Sequence, residues 1–377
     1  MNKIIKFSSN RVWRTYQGGK QLDIIEGKEN PQDSSFPEDW IGSTVEARNI
    51  GREEITEGLA MVTDENGQSI PFRDLLNQDQ HYFLGSEKGT ARTLDDIPLV
   101  KYLDSATRLH FQAHPTRAFA QEILGKPRGK TEAYVILEIR EDVSDPYIYA
   151  GFQRSPSREV LKGWIENQDI ASIEKCFDRI PVKPGDVFLL PGGRPHALGE
   201  GILMLEIMEP SDLAVRFEFE RCGYVIPEKA RFMDRGIETA LDVFNFDPVP
   251  PENIDQEFRC QPKIMSNNKA NTDANENSDN LLEELIGPDK TSCFTVKRST
   301  VKSTYKRKEN AFFYGIVTEG SGSFCSGDEV TPLKKWDRFF CPAGISEFQY
   351  ETDSKMVLLE CYPGSEENFI KKDNGAD

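Results

Sequence analysis

The chain has 377 residues, of which 37% are hydrophobic and 29% are charged. This length suits two domains of ordinary size, and no apolar run approaches the roughly 20 residues of a bilayer span. The formal net charge of −17 argues against nucleic acid and would slow any polyanion unless basic side chains cluster locally. No secretory signal is recognisable, and the seven scattered cysteines form no C-x-x-C pair, so we expect reduced thiols and a cytoplasmic protein.

Short apolar runs bounded by Gly, Pro and Asp predict many strands and few helices. In chain order, helices are predicted from the N-cap Thr116 to the stop at Gly125 and over 157–167, 169–177 and 234–244. A turn is predicted at 320–322. The predicted strands are 132–139, 147–152, 186–190, 202–208, 213–219, 311–317 and 338–341. The absence of regular strand–helix alternation favours a mainly β barrel fold with helical insertions.

A polar segment divides the chain. The stretch IMSNNKANTDANENSDN is rich in Asn, Asp and Ser and nearly empty of large apolar residues, so 263–282 is predicted to be a loop or linker. Residues 1–262 would form the first domain. Residues 283–377 have the size of one small β-barrel.

One motif predicts a metal-binding imidazole. In PGDVFLLPGGRPHAL, the spacing of Gly185, Pro191, Gly193 and His196 resembles the second cupin motif, which brings a histidine to the mouth of a barrel. The alternative is a β-hairpin that merely exposes a histidine, so a second set of ligands is needed.

Two upstream segments offer that second set. In RLHFQAHP, strand alternation predicts that His110, Gln112 and His114 share one face. In GKTEAYVILEI, Lys130 and Glu132 share a face, and a carboxylate inside a barrel requires a cation. Imidazole, carboxylate and amide groups suit zinc first, with manganese, iron and cobalt as alternatives.

The order and spacing of these motifs resemble type I mannose-6-phosphate isomerase in its short bacterial form. The matching motifs are Q-x-H-P at 112–115, G-K-x-E at 129–132, P-x-G-x-x-H-A at 191–197 and the later SDLAVR and GIETALDVFNF, with a weaker PEDWIGST. The resemblance covers residues from about 10 to 250. It implies tandem cupin (jelly-roll) barrels and one Zn²⁺ per chain. It also implies an aldose–ketose isomerase that interconverts mannose 6-phosphate and fructose 6-phosphate through an enediol.

The resemblance also implies roles for individual residues. Gln112, His114, Glu132 and His196 would be the zinc ligands. Lys130, Asp212 and Arg216 match the polar catalytic and phosphate-facing positions, with Lys130 one candidate for the general base. Lys130 could instead be a solvated turn residue, and Asp212 and Arg216 could form a salt bridge on a half-exposed sheet.

Two further residues are candidate substrate contacts. His110 stands where the family has a small hydroxyl residue, and it either contacts the ligand or is a buried, hydrogen-bonded histidine. Arg194 lies beside His196 and could contact a phosphate. Thr116 also departs from the family, where Asp follows the proline, so these departures concern the substrate rather than the metal.

The C-terminal unit repeats the pattern without the histidine. KKWDRFFCPAGISEF parallels PGDVFLLPGGRPHAL, with Pro342 and Gly344 aligned, but no histidine follows residue 281. We therefore expect a degenerate cupin without metal. Two rival functions share this fold, namely a non-catalytic sugar-phosphate-binding cupin and another metal-dependent cupin enzyme such as an oxygenase or epimerase. The expected partner is a small hexose phosphate, with no membrane partner and the oligomeric state left open.

Overall fold

The computed structural model describes residues 3–64, 66–267 and 279–365. The predicted mainly β fold is confirmed. Up to residue 262 the strands are β1 (Ile5–Lys6), β2 (Arg11–Val12), β3 (Glu38–Ile41), β4 (Met61–Thr63), β5 (Ser69–Pro71), β6 (Ser86–Glu87), β7 (Thr90–Ala91), β8 (Leu99–Asp104), β9 (Gln112–Ala113), β10 (Glu132–Ile139), β11 (Tyr147–Ala150), β12 (Ile180–Pro181), β13 (Val187–Leu190), β14 (His196–Leu198), β15 (Ile202–Met208), β16 (Val215–Arg216), β17 (Glu220–Arg221) and β18 (Tyr224–Val225).

The later strands and the helices complete the described chain. The strands are β19 (Lys263–Asn267), β20 (Leu281–Ile286), β21 (Phe294–Val301), β22 (Tyr305–Lys308), β23 (Phe313–Ser326), β24 (Glu329–Lys334), β25 (Arg338–Cys341), β26 (Glu347–Glu351) and β27 (Met356–Pro363). The helices are α1 (Lys20–Ile25), α2 (Phe72–Gln78), α3 (Gln80–Leu84), α4 (Arg117–Glu122), α5 (Arg158–Asn167), α6 (Ile170–Glu174), α7 (Glu228–Arg231), α8 (Gly236–Leu241) and α9 (Ile254–Glu257), with 3-10 turns at Leu94–Asp96 and Pro251–Asn253. Within the described residues, no helix is long and apolar enough to cross a membrane.

Two antiparallel sheets form the first barrel. One has the strand order β13-β10-β15-β8-β3-β2, and the other has the order β12-β11-β14-β9-β16. Side chains from both sheets, including Tyr134, Ile148 and Met204, pack between them in one apolar cluster. The outer face of the second sheet is covered by α5, α6 and α8, which pack on Phe111 and Phe217. Apolar side chains therefore fill part of the space between the two sheets. Polar side chains occupy the rest of this interior.

Helix α4 begins at its predicted cap, whereas the helix predicted over 234–244 is shorter and begins at Gly236. The Thr116 hydroxyl accepts from the Phe119 amide at the start of α4. Ser157 and Asp169 cap α5 and α6 in the same way. The strand predicted over 213–219 is shorter, since only Val215 and Arg216 pair with β9. The flanking Leu213 carbonyl is used by a histidine ring instead of the sheet.

The second barrel is also built from antiparallel strands, and several of these strands are longer. Its sheet order is β1-β25-β23-β27-β21-β20-β19, and β23 continues past this sheet to pair with β24 and β26. The predicted turn at 320–322 is therefore wrong, because these residues lie inside β23. Gly320 has φ +72°, and a Cβ there would lie 1.8 Å from the Lys355 carbonyl oxygen. The glycine permits a bend and a close backbone approach, not a chain reversal.

The strands do not follow the predicted division into a first domain at 1–262 and a linker at 263–282. Strand β1 pairs with β25, with Ile5 opposite Phe340, so the N-terminal strand belongs to the second barrel. The predicted linker 263–282 begins with β19, which pairs with β20, while residues 268–278 lie outside the described residues. One apolar cluster contains Val100 and Leu205 of the first barrel and Tyr314 and Leu359 of the second. The outer faces of the two barrels thus share a core.

Candidate metal centre

Four of the predicted site residues meet between the sheets of the first barrel. Gln112 lies on β9 and pairs with His196, the first residue of β14. His114 follows β9 directly, and Glu132 begins β10, where it pairs with Leu190. Neighbouring strands in both sheets therefore bring an amide, two imidazoles and a carboxylate to one end of the barrel interior.

The Glu132 carboxylate lies between the two imidazole rings. Its Oε1 is 3.0 Å from His196 Nε2, and its Oε2 is 3.2 Å from His114 Nε2. One ligand atom from each of the three residues lies within 4.8 Å of the others, and all three side chains are buried. The amide nitrogen of Gln112 is 3.3 Å from His196 Nε2, and a half-turn of the amide would bring its oxygen to the same place. The structure thus brings all four predicted ligands together.

Both imidazoles are oriented as metal ligands. His114 Nδ1 lies 2.8 Å from the Leu213 carbonyl oxygen, and His196 Nδ1 lies 2.9 Å from that of Arg194. In the neutral ring, Nδ1 donates to the carbonyl and the Nε2 lone pair faces inward. Burial, aided by Lys130, lowers the pKa of His114 to about 3, which favours the neutral form. This donor set fits a divalent ion of the zinc type.

Lys130 lies inside this centre and is not a solvated turn residue. Its ammonium is 2.7 Å from His114 Nε2 and 2.8 Å from Glu132 Oε2, and the side chain is buried. An ion bound by those two atoms would compete with the ammonium for them. Glu206, whose Oε1 is 3.9 Å from Lys130 Nζ, is the nearby carboxylate toward which the ammonium could move.

A buried row of alternating charges continues from Lys130 across the sheet. Glu206 Oε2 lies 3.1 Å from Lys101 Nζ, and Lys101 lies 3.1 Å from Glu38. Arg14 Nε donates to Glu38 over 2.9 Å. Sequence reasoning missed these residues. The available signal was charge inside apolar strands, with Lys101 in the middle of LVKYLD and Glu206 in ILMLEIM.

The two carboxylates of this row have different acidities. Burial raises the pKa of Glu206 to about 7, although Lys101 opposes the shift. Burial also opposes ionisation of Glu38, but Arg14 and Lys101 together hold its pKa well below the usual range. The row therefore contains one firmly ionised carboxylate and one whose proton is exchangeable near neutral pH.

An open cavity with about 820 Å³ of empty space adjoins the metal centre, and Asp212 and Arg216 both line it. They do not form the salt bridge that the sequence allowed. Asp212 pairs with Arg14 over 3.1 Å and accepts from the Arg48 amide over 3.0 Å. The Arg216 guanidinium donates to the Ala230 carbonyl over 3.2 Å, and burial lowers its pKa. Arg216 thus presents a cation to the cavity without a directly bonded carboxylate in the described structure.

The two candidate substrate contacts are placed differently. His110 lines the cavity, with Nδ1 3.0 Å from the Glu218 carbonyl oxygen, and its buried Nε2 has no hydrogen-bond partner among the described residues. The Arg194 guanidinium instead contacts Glu257 over 2.6 Å and the Asp247 carbonyl over 2.9 Å, and it does not line the cavity. The turn directs the Arg194 carbonyl inward to His196 and its side chain outward. Arg194 is therefore not positioned as a phosphate contact.

The mouth of the site is strongly basic in an otherwise acidic protein. A contiguous outer pocket shares Asp212 and Arg216 with the inner cavity and is also lined by Arg48, Lys126, Lys229 and Arg235. The ion pairs between described residues do not involve these four side chains. Cations without carboxylate partners around a concave surface favour an anionic ligand.

Comparisons with known proteins agree with these observations. No protein-family model matches the chain. The chain is 26% identical over 332 residues to the mannose-6-phosphate isomerase ManA of Bacillus subtilis, covering 84% of this chain and 91% of that protein. It is 33% identical over 262 residues to the probable mannose-6-phosphate isomerase GmuF of the same organism, covering 69% of this chain and 73% of that protein.

Solved structures share the fold. The crystal structure of the mannose 6-phosphate isomerase from Bacillus subtilis matches with a TM-score of 0.70 and 20% identity, covering 95% of this chain and 99% of that one. A putative mannosephosphate isomerase from Archaeoglobus fulgidus matches with a TM-score of 0.67 and 20% identity, covering 96% of this chain and 97% of that one. The predicted tandem cupin architecture is thereby confirmed.

Proposed function

Because this chain belongs to the mannose-6-phosphate isomerase family, we propose that it interconverts mannose 6-phosphate and fructose 6-phosphate with one zinc ion per chain. Gln112, His114, Glu132 and His196 would hold the ion. The supporting observation is that two inward-facing Nε2 atoms and one carboxylate lie within 4.8 Å of one another. When bound, zinc would supply a Lewis acid that polarises the sugar oxygens.

The chain's own side chains would move the protons. Conversion of the aldose to the ketose removes a proton from C2, passes through an enediol and delivers a proton to C1, while the O2 hydroxyl loses its proton and O1 gains one. Lys130 faces the same point as the ligands and, acting as the general base, would take the C2 proton and return it to C1. Glu206, at 3.9 Å, is placed to balance the charge on Lys130 during this exchange.

The phosphate end of the substrate would lie toward the basic mouth. Arg216 stands where the inner cavity meets the outer pocket, so its guanidinium can bind the phosphate or an adjacent sugar oxygen. Asp212 is held by Arg14 and the Arg48 amide, so we assign it the positioning of this wall. His110 would contact a sugar hydroxyl through Nε2, since its Nδ1 is occupied.

A coupled assay of fructose 6-phosphate formation tests the proposal. We expect turnover of mannose 6-phosphate that is lost after treatment with a chelator and restored by one equivalent of zinc per chain. Reconstitution with manganese, iron or cobalt in parallel would identify the effective metal. Saturable sugar-phosphate binding without turnover would favour a binding protein, and substrate-dependent oxygen consumption would favour an oxygenase.

We also propose a cytoplasmic location. All seven cysteines are unpaired, and five of them are buried, which fits a reducing compartment. Isomerase activity confined to the culture medium or to a periplasmic extract would contradict this location.

A further inference from the structure

A second cleft lies between the two barrels, away from the metal centre. It has about 1090 Å³ of empty space and is lined by the β6–β7 hairpin, by Arg117, Arg128 and Glu209, and by Cys293 of the second barrel. It shares no lining residue with the inner cavity beside the metal ligands. The catalytic proposal assigns no role to this cleft.

Two partly buried arginines in this cleft have weak or missing partners for part of their guanidinium groups. The side chain of Arg92 is only 10% exposed, and its ion pair with Glu87 is long, at 3.5 Å. Burial lowers the pKa of Arg92, as expected for a cation that its neighbours compensate poorly. Arg128 Nη2 contacts Asp96 over 2.6 Å, but its buried Nε has no hydrogen-bond acceptor among the described residues. A ligand could supply the acceptor that Arg128 Nε lacks and a closer partner for Arg92 than Glu87.

Most carboxylates of the cleft already have hydrogen-bond or ion-pair partners, so they do not favour a bound cation. Asp96 is engaged by Arg128 and by the Thr93 amide, and Glu209 is engaged by Arg117. Glu87 accepts from Ser365 in addition to its contact with Arg92. Asp95 is the exposed member of the set. The groups left to satisfy are therefore donors.

We propose that this cleft is a binding site for a small phosphate-bearing anion, held between Arg92 and Arg128. The tetrahedral oxygens of a phosphate can accept from both guanidinium groups at once, which a carboxylate of the protein does not achieve here.

A short chain of contacts connects the cleft to the metal centre. Arg117 donates to Glu209 Oε1 over 3.0 Å, and Glu209 Oε2 accepts from the Thr131 amide over 3.0 Å. Thr131 stands between Lys130 and Glu132. Arg117 lines the same cleft as Arg92 and Arg128, so an anion bound there would compete with Glu209 for Arg117, loosen the hold on Thr131 and disturb both neighbours. This coupling rests on the proposed isomerase function, and it predicts that the bound anion lowers kcat.

Titration calorimetry with inorganic phosphate at constant ionic strength tests binding without reference to activity. We expect Arg92→Gln and Arg128→Gln each to bind one phosphate fewer per chain than the wild type. Arg73→Gln, which changes an exposed arginine on α2, should bind as the wild type does. Arg92→Lys serves if Arg92→Gln does not fold, and thermal unfolding without phosphate checks folding. Unchanged stoichiometry in both cleft variants would overturn the site.

Steady-state kinetics with added phosphate test the coupling. Phosphate should raise KM in all variants by competing at the basic mouth. It should lower kcat about 5-fold or more in the wild type and Arg73→Gln, but not in Arg92→Gln. A wild-type kcat that is independent of phosphate overturns the regulatory coupling. Absence of turnover in every protein would contradict the proposed function, while the calorimetric test of the cleft would still stand.

Discussion

The two barrels are built on the same strand order but differ in the side chains that line their interiors. In the first, β13-β10-β15-β8-β3-β2 form one sheet, and in the second, β25-β23-β27-β21-β20-β19 occupy the corresponding places. Even the cross-strand register of a lysine and a glutamate is repeated, since Lys101 lies opposite Glu206 and Lys297 lies opposite Glu360. The difference must therefore come from individual side chains and not from the architecture.

The side chains at the positions of the candidate metal ligands are replaced in the second barrel. Where Glu132 pairs with Leu190, Phe313 pairs with Cys341. The cross-strand pair Gln112–His196 has as its buried counterpart Arg307–Phe348. The residue aligned with His196 by sequence, Glu347, is exposed.

A side chain supplies the cation that the second barrel needs. Arg307 contacts both oxygens of Glu360 at 3.1 Å and the Ser299 hydroxyl at 2.7 Å. Burial opposes ionisation of Glu360, but Arg307 holds its pKa below the usual range, whereas the pKa of Glu206 is raised to about 7. A buried carboxylate in this fold can thus be neutralised by a tethered guanidinium, which fixes the interior. In the first barrel the equivalent carboxylate, Glu206, faces two lysines, Lys101 at 3.1 Å and Lys130 at 3.9 Å, and no arginine pairs with it among the described residues.

The largest effect should come from removing the imidazole that the second barrel lacks. His196→Asn should abolish stoichiometric zinc binding and lower turnover at least ~10³-fold, because several kcal/mol of charge stabilisation depend on the ion. Metal analysis after dialysis and the coupled assay measure this. The matched change Phe348→Leu should alter stability by about 1 kcal/mol and leave zinc content unchanged. Full activity in His196→Asn would refute the ligand assignment.

A smaller but still large effect is expected at Arg216, whose strand β16 has no counterpart in the described second barrel. Arg216→Met should lower kcat/KM about 100-fold or more, because a cation facing the substrate is lost. Its thermal midpoint should change little, since the guanidinium makes one described hydrogen bond, to Ala230. Arg194→Met is the control and should stay within about 3-fold of wild-type activity. Equal effects of the two substitutions would argue against the role of Arg216.

In the second barrel the tethered cation itself can be removed. Arg307→Met leaves Glu360 buried without its guanidinium and should cost roughly 3–5 kcal/mol of unfolding free energy, measured by urea denaturation. The double variant Arg307→Met/Glu360→Gln should recover most of that loss, because the unpaired charge is gone. Zinc content should be normal in both variants. Loss of zinc from the single variant would indicate that the barrels are not chemically independent.

The smallest effect is a pH dependence of opposite sign at the two equivalent carboxylates. The folded-state pKa of Glu206 lies above the unfolded value of about 4.3, so its contribution to stability falls as pH rises from about 4.3 to 7, by roughly 2–3 kcal/mol. The pKa of Glu360 is lowered, so its contribution is present above about 4.3 and is lost on further acidification. Urea midpoints, measured on metal-free proteins, should show this. The pH dependence of wild-type stability between about 4.3 and 7 should be reduced in Glu206→Gln, and the dependence below about 4.3 should be reduced in Glu360→Gln.

The long strands and the candidate ligand set could be predicted from the sequence because short segments of the chain encode them. The run at Glu132–Ile139 is apolar over most of its length and long enough to specify a strand, and the spacing from Gly185 to His196 encodes a strand, a turn and an imidazole. Capping side chains such as Ser157 fixed helix starts in the same way. Each of these features depends on residues that are close in the chain.

The remaining features depend on pairings between distant residues. The row from Arg14 through Glu38 and Lys101 to Glu206 exists only because β3, β8 and β15 are neighbours in one sheet. A salt bridge between Asp212 and Arg216 was one alternative from the sequence, but Arg14, far away in sequence, pairs with the Asp212 carboxylate. The turn predicted at Gly320 is wrong because glycine and serine are typical both of a chain reversal and of a bend inside a long strand.

The pairing of β1 with β25 constrains how the protein can be made. Ile5 can pair with Phe340 only after β25, which lies far along the chain from β1, has been synthesised. The second barrel therefore acquires this edge strand late in its formation. A disruption of β1 would impair the folding of a barrel whose other strands are distant in sequence.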